Sequence, residues 1–251
     1  MLTTRTTTKP PMDSTRKAAL IAGLFYIGTF VFSIPALGLY HGVLDDPNFV
    51  LGAGHANGVL WGALIEILTA LTGIGTAVAL YPVIKRYGPG RAVGFVASRT
   101  LEAAMIFTGV VAVLAVYTLR HDFAGGPDTA SLTTSASALV AVKNWTFLLG
   151  PGIMPAVNAL CFATIMYQSR LVPRWIPTLG LIGVPLLLAS SVATLFGAWD
   201  QVSSIALLMT LPIATWEFSV GVYMTVKGFR TPPAANGANA VSVPPAALAH
   251  A

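Results

Sequence analysis

Apolar residues dominate six stretches of this chain, and each stretch is about as long as the hydrocarbon layer of a bilayer is thick. A helix rises about 1.5 Å per residue, so about 20 residues cross a layer of about 30 Å. Lipid offers no hydrogen bonds to a backbone, so such stretches are predicted to be helices, and they lack the alternation of a membrane barrel. The predicted spans are 18–40, 59–84, 92–119, 147–169, 178–199 and 207–229.

The polar stretches divide the chain into three parts. Residues 1–17 are Thr-rich and basic, and residues 231–251 are rich in Pro, Ala and Asn, so both are predicted to be disordered tails. Residues 18–230 are predicted to form one all-α domain of six transmembrane helices. Asp13 is expected to cap the first helix, with Ser14 as the alternative.

The stretch before the fourth span is less polar than a free loop. Asp128 is placed to cap a helix that continues into this span. Gly150, Pro151, Gly152 and Pro155 are then expected to kink that helix.

Composition and charge agree with a membrane protein. Hydrophobic residues make up 55% of the 251 residues and charged residues only 9%, against about 25% in soluble domains. The net charge of +5 is unevenly placed. Arg120 and Lys143 fall in loops predicted to lie outside, and Arg99 falls within a span. The other basic residues fall in the tails and the loops predicted to lie inside: Arg5, Lys9, Arg16, Lys17, Lys85, Arg86, Arg91, Arg170, Arg174, Lys227 and Arg230. This positive-inside pattern predicts that both ends are cytoplasmic, and it argues against a nucleic-acid partner.

Four ionisable residues lie inside the predicted spans: Glu66, Arg99, Glu102 and Glu217. A charge at the bilayer centre costs about 2.5–3.5 kcal/mol, so these residues are expected to face one another, water or a ligand. Counting about 1.5 Å per residue from the basic residue at each inner end, Arg99, Glu102, Glu217 and Asn158 lie about 12–18 Å deep. Glu66 lies about 28 Å from the inner face, nearer to the outside. These five residues are the candidate binding residues, and no catalytic residue is assigned.

The charges within this group do not balance. Arg99 and Glu102 are three residues apart on one helix and are expected to pair. One arginine cannot neutralise three carboxylates, and burial disfavours the charged form of a carboxyl group. We therefore expect at least one of Glu66 and Glu217 to be protonated at neutral pH.

Signals for metals and cofactors are weak. His41, Asp45, Asp46 and His55 share the first outer loop, but their spacing matches no compact metal motif, so no metal site is predicted. Cys161 is the single cysteine, which excludes an intrachain disulfide. Motifs typical of nucleotide, haem and common hydrolase sites are absent from the sequence, and no cofactor is expected.

Four stretches of the chain resemble a family of bacterial six-span membrane proteins labelled domain of unknown function 4386. They are A-V-A-L-Y-P-V-I-K-R (77–86), V-A-S-R-T-L-E-A (96–103), R-L-V-P-R-W-I-P-T-L-G-L-I-G (170–183) and P-I-A-T-W-E-F-S-V-G-V-Y-M-T-V-K-G-F (212–229). The resemblance covers most of 18–230. It implies a multi-pass protein of the bacterial cytoplasmic membrane, and it implies no activity. Arg99, Glu102 and Glu217 are motif positions in this family, without assigned roles.

Three functions remain open at this stage. The leading hypothesis is a small-solute or proton-coupled carrier, in which Glu102 and Glu217 titrate while Arg99 holds an anionic group or clamps the two carboxylates. The second is an intramembrane enzyme acting on a lipid or quinone-like substrate, with Glu217 as the acid or base. The third is a sensor or partner protein without catalysis, in which the polar centre is structural. An enzyme is the less favoured class. The ligand and the oligomeric state cannot be predicted from the sequence.

Overall fold

A computed structural model describes residues 13–230, so most of the two predicted tails, 1–12 and 231–251, lies outside the described residues. The described chain folds into eight α-helices. They are α1 (Ser14–Leu39), α2 (His41–Asp45), α3 (Asn57–Ile84), α4 (Pro89–Phe123), α5 (Thr129–Phe147), α6 (Met154–Ser169), α7 (Trp175–Leu195) and α8 (Ser204–Val226). A 3-10 turn covers Phe49–Leu51, and a π-helical turn, Leu148–Gly152, joins α5 to α6.

Six segments are long and apolar enough to cross a membrane: α1, α3, α4, the continuous α5–α6 segment, α7 and α8. This confirms the predicted all-α, six-span architecture of a polytopic membrane protein. The fourth segment begins at Thr129 rather than 147, because the Asp128 carboxylate caps α5 by accepting a hydrogen bond from the backbone N of Ser131 at 3.0 Å.

The first helix is capped by Asp13, as predicted, and therefore begins four residues before the predicted span that starts at 18. α1 starts at Ser14, within the part of the chain predicted to be a tail, because the Asp13 carboxylate accepts a hydrogen bond from the backbone N of Thr15 at 3.3 Å. The early start brings Arg16 onto the first turn of α1. Its guanidinium donates to the carbonyl oxygens of Met224 and Thr225 at the end of α8, at 2.9 and 2.8 Å.

The six spans form a closed ring in chain order. Each span packs against the next, from α1 to α3, α4, the α5–α6 segment, α7 and α8, and α8 packs back against α1. The contact of Arg16 with α8 places both ends of the described chain at one end of the ring, the terminal end; the other is the opposite end. A cytoplasmic terminal end stays a prediction.

Aromatic side chains fill the terminal half of the ring. Phe162 lies between Tyr26, Phe95 and Trp216, with ring-centroid distances of 6.1, 4.9 and 5.7 Å. All four side chains are buried. This packed layer closes the bundle on the terminal side of the polar residues described below.

Glycine allows α1 and α8 to approach closely near the terminal end. A Cβ added to Gly23 would lie 2.7 Å from the carbonyl oxygen of Gly221 and 2.7 Å from the backbone N of Thr225. Backbone atoms cannot rotate away as a side chain can. Any side chain at position 23 therefore has to push the two helices apart.

Replacing Gly23 with alanine is expected to lower the free energy of unfolding by about 1–3 kcal/mol, because overpacking against the backbone of α8 separates the helices. Gly38→Ala on the same helix is the matched control, since a Cβ there meets nothing within 4 Å. The control should be neutral or stabilising by up to about 1 kcal/mol. Unfolding in mixed micelles, followed by tryptophan fluorescence, measures both. Equal stabilities of the two variants would contradict a close α1–α8 contact.

Candidate functional site

Arg99 stands at the centre of the bundle and joins two carboxylates from different helices. Its Nη1 donates to Glu102 Oε2 at 3.0 Å on α4, and its Nη2 donates to Glu217 Oε1 at 2.6 Å on α8. From α6, Asn158 Nδ2 donates to Glu102 Oε2 at 2.7 Å. The structure thus brings together four of the five candidate binding residues. We call Arg99, Glu102, Asn158 and Glu217 the central cluster.

Two neighbours that the sequence analysis did not select hold the central cluster in place. The Ser98 hydroxyl donates to Asn158 Oδ1 at 2.5 Å, which orients the Asn158 amide toward Glu102. The Tyr26 ring centroid lies 5.1 Å from Arg99 Cζ, within the range of a cation–π contact. Both residues are uncharged, so the search for charges within the spans did not identify them.

Glu66 has its own cation at a second polar site nearer to the opposite end. Lys143 Nζ donates to both Glu66 oxygens at 2.6 Å, and the Tyr40 hydroxyl donates to Glu66 Oε2 at 3.0 Å. The predicted position of Lys143 in an outer loop is therefore wrong. Lys143 lies on α5 and is only 4% exposed, because the helix that starts after Asp128 carries it into the bundle.

The second site depends on glycine and on a protonated tyrosine. A Cβ on Gly109 of α4 would lie 3.0 Å from Lys143 Cδ, so the lysine stem crosses α4 where no side chain blocks it. Burial first, and then the neighbouring Glu66 carboxylate, raise the pKa of the Tyr40 hydroxyl far above its ordinary value. Tyr40 therefore keeps its proton, and its hydroxyl donates a hydrogen bond to Glu66.

A cavity of about 230 Å³ connects the two polar sites. Glu102, Arg99 and Glu217 line it on one side, and Glu66 lines it on the other. The remaining lining residues are mostly apolar and come from all six spans: Thr29, Phe30, Ser33, Ile34, Leu37, Thr69, Ile106, Phe147, Pro151, Pro155, Leu187, Thr210, Ile213 and Ala214. An ionic site with such walls suits a ligand that is apolar over most of its surface.

The cavity opens between α1 and α8, in the halves of these helices nearer to the opposite end. Ile34 and Leu37 line it and are 64% and 45% exposed. Phe30 of α1 packs edge-on against Phe218 of α8 at 5.6 Å, and the two helices run antiparallel from this contact. The next turns toward the opposite end place Ile34 and Leu37 beside Ala214 and Thr210, which also line the cavity. In a membrane, this opening faces lipid.

The two carboxylates are more exposed to the cavity than the Arg99 guanidinium. The Arg99 side chain is 3% exposed, against 12% for Glu102 and 14% for Glu217. Arg99 Nε is buried without a hydrogen-bond partner, and both other nitrogens of the guanidinium donate to carboxylates. Glu102 Oε1 and Glu217 Oε2 accept no hydrogen bond from residues 13–230. Both oxygens keep some accessible surface. The arrangement favours Arg99 as a clamp for the pair over Arg99 as an anion holder.

The two polar sites together contain one more carboxylate than cations. Glu66, Glu102 and Glu217 line the cavity, and Arg99 and Lys143 are the two cations that pair with them. Three carboxylates against two cations leave one negative charge when all are ionised. Glu66 has Lys143 as its own cation, so the charge count favours Glu217 over Glu66 as the carboxyl expected to be protonated.

The weak metal candidates are not assembled into a site. Over residues 13–230, no group of three or more His, Cys, Asp or Glu side chains is arranged to hold a metal ion. His41 Nδ1 lies 2.7 Å from Asp45 Oδ2 in an exposed pair, and Asp46 Oδ1 accepts a hydrogen bond from the backbone N of Asn48 at 2.8 Å. His55 lies on the exposed loop before α3.

Comparison with known proteins identifies one family. The family model described as "Domain of unknown function (DUF4386)" matches residues 21–228, which include most of α1 and all the other spans. No curated protein and no solved structure matches the chain.

Proposed function

The chain belongs to the DUF4386 family, whose description names no activity, and we propose from the site itself that it is a proton-coupled carrier of a small solute. The cavity carries this proposal, because it reaches three carboxylates, two of them paired with Arg99 and the third with Lys143. Ionisable side chains inside a membrane bundle are expensive to bury and commonly mark substrate or proton paths. A bacterial cytoplasmic membrane, which the resemblance implied, stays a prediction.

The size of the cavity supports a small solute. Drug-sized ligands occupy sites of about 300–1,000 Å³, and this cavity of about 230 Å³ is smaller. The aromatic layer of Tyr26, Phe95, Phe162 and Trp216 closes the terminal side. Transport would therefore need a second conformation in which that layer parts, so the present structure supports one state of a two-state cycle.

The extra carboxylate supports proton coupling. Glu217 is held by a single bond to Arg99, whereas Glu102 is held by both Arg99 and Asn158. Glu217 is thus the carboxylate that can be neutralised with the least disturbance to the cluster. A proton on Glu217 also balances the charges of the two polar sites.

Replacing Glu217 with glutamine is expected to abolish solute-driven proton movement while leaving the protein folded. Proteoliposomes containing the pH indicator pyranine would receive one of four impermeant solutes: tetraethylammonium, glycine betaine, methanesulfonate or sorbitol. At least one should change the internal pH with the wild-type protein, and the glutamine variant should lower that rate at least tenfold, because glutamine cannot carry the proton.

Thr215→Val is the matched control, because Thr215 lies on the exposed face of the same helix and its hydroxyl bonds only to the Leu211 carbonyl. This variant should transport as the wild type does. If no solute moves protons faster than in protein-free vesicles, while size-exclusion chromatography shows folded protein, the proposal is wrong.

A second candidate is an intramembrane enzyme with Glu217 as acid or base, and the opening toward lipid between α1 and α8 is the observation that favours it. Such an enzyme would chemically alter a lipid or quinone added to proteoliposomes. Mass spectrometry of lipid extracts, wild type against Glu217→Gln, distinguishes this candidate from a carrier, which returns its solute unchanged. If neither flux nor turnover depends on Glu217, the polar centre is structural.

A further inference from the structure

We infer that the solute is a small organic monocation with an apolar body, such as a quaternary or protonated amine, bound against Glu102 and Glu217. This inference rests on the proposed function and deepens it by naming the chemical class of the solute. Its evidence is the geometry of the cavity, and binding of the cation can be measured separately from transport.

Most polar atoms that the cavity offers are acceptors; the exception is the Ser33 hydroxyl, which makes no hydrogen bond within residues 13–230 and can also donate. The hydroxyls of Thr29, Thr69 and Thr210 line it, and each donates its proton to a carbonyl of its own helix, at 2.8–3.0 Å. Their oxygens are left as acceptors, as are Glu102 Oε1 and Glu217 Oε2. Arg99 Nη1 and Nη2 donate to carboxylates, and the whole side chain, including the unpartnered Nε, is almost completely buried. A ligand that only accepts hydrogen bonds would find few partners here.

Charge then selects among ligands that do not need to accept hydrogen bonds. With all groups ionised, the two polar sites together carry one excess negative charge. A monocation neutralises it, whereas an anion would add to it in a medium where isolated charges are costly. An anion would also have to displace a carboxylate from Arg99. A proton and the cation are thus alternatives at the same carboxylates, which is the arrangement that exchange of one for the other requires.

The walls select an apolar body over a bare metal ion. Phe30, Phe147, Leu187 and Ile213 surround most of the space, which exceeds what a single inorganic ion fills. Aromatic faces attract organic cations, which lose less hydration than Na⁺ or K⁺ on entering such a site. The opening between α1 and α8 faces lipid, so an apolar cation partitioned into the membrane reaches the cavity directly.

Equilibrium binding of tetraethylammonium to the full chain in lipid nanodiscs tests the inference by isothermal titration calorimetry at constant ionic strength. Tetraethylammonium should bind, and methanesulfonate and sorbitol should not. Glu217→Gln should weaken binding at least tenfold, and Thr215→Val should leave it unchanged. Binding should also weaken as the pH falls, because protons compete for the same carboxylates.

A second variant keeps the test independent of the charged residues. Ala214→Phe places a ring at the opening of the cavity and leaves the charges of Arg99, Glu102 and Glu217 unchanged. It should weaken tetraethylammonium binding at least tenfold in a protein that remains folded by size-exclusion chromatography. Unchanged binding in both this variant and Glu217→Gln would place the cation elsewhere and overturn the inference.

The failures of the two proposals are distinguishable. Glu217-dependent binding of tetraethylammonium without proton flux refutes the carrier and keeps the ligand class. Proton flux driven by betaine, methanesulfonate or sorbitol, without tetraethylammonium binding, keeps the carrier and overturns the ligand class. Displacement of tetraethylammonium by equimolar Na⁺ but not by K⁺ would show an inorganic ion site, and would also overturn it.

Discussion

Replacing Arg99 with methionine is expected to lower the free energy of unfolding by about 3–5 kcal/mol, which is among the largest effects expected of any single substitution in this chain. Methionine fills the space of the side chain but leaves Glu102 and Glu217 without their shared cation. Two buried carboxylates then face each other with only Asn158 as a donor. The measurement is unfolding in mixed micelles, followed by tryptophan fluorescence.

The triple variant Arg99→Met, Glu102→Gln, Glu217→Gln separates charge from shape. It removes the charges together, so most of the lost stability should return, since a buried ion pair is often worth little against neutral residues of similar size. A triple variant as unstable as Arg99→Met would contradict this explanation. It would show instead that Arg99 stabilises the bundle through its packing on Tyr26.

Replacing Lys143 with methionine is expected to cost about 3 kcal/mol of unfolding free energy by the same physical reasoning. Glu66 would lose both 2.6 Å bonds from Lys143 and keep only the hydrogen bond from Tyr40. The double variant Lys143→Met, Glu66→Gln should recover most of the loss, because a neutral amide at position 66 still accepts from Tyr40.

Arg174→Met is the matched control for this experiment. Arg174 is also a basic residue stacked near a tyrosine, 4.8 Å from the Tyr167 ring, but it lies on an exposed turn without a carboxylate partner in the described chain. Its loss should cost at most about 1 kcal/mol. If Lys143→Met is no more harmful than Arg174→Met, the Glu66–Lys143 pair contributes little to stability.

The six membrane spans could be predicted from the sequence because lipid places a severe constraint on the backbone. A backbone in lipid must satisfy its own hydrogen bonds, so length and apolarity alone identify helices such as α3 and α7. The same constraint identified Arg99, Glu102 and Glu217 as residues that must meet, since each is costly in isolation. Counting depth along the helices then brought in Asn158, which the structure finds bonded to Glu102.

Lys143 could not be recognised in the same way. Its segment, 128–146, is rich in Ser and Thr, and a lysine in such a stretch is as compatible with a solvated loop as with a helix. The capping residue Asp128 indicated a helix, but not which face of it would be buried. The missing clue was the charge count: Glu66 had no cation within the predicted spans, and Lys143 was the nearby unpaired one.

The cavity could not be predicted from the sequence either. Its walls come from six spans, and its opening lies between α1 and α8 on the opposite-end side of the Phe30–Phe218 contact. Small-residue positions such as Gly23 indicate where helices touch, but no comparable pattern marks where they separate. The proposed ligand class therefore rests on the cavity, whereas the sequence alone left anion, proton and lipid open.

The wide turn at Leu148–Gly152 sets the angular phase between the two halves of the fourth span. One residue advances an α-helix by about 100° around its axis, so a turn that holds an extra residue rotates everything before it. Shortening this turn by one residue would swing Lys143 about a quarter of a circle away from Glu66, toward neighbouring helices or lipid. The pairing of two side chains on α3 and α5 is thus governed by backbone winding in a stretch that contains neither of them.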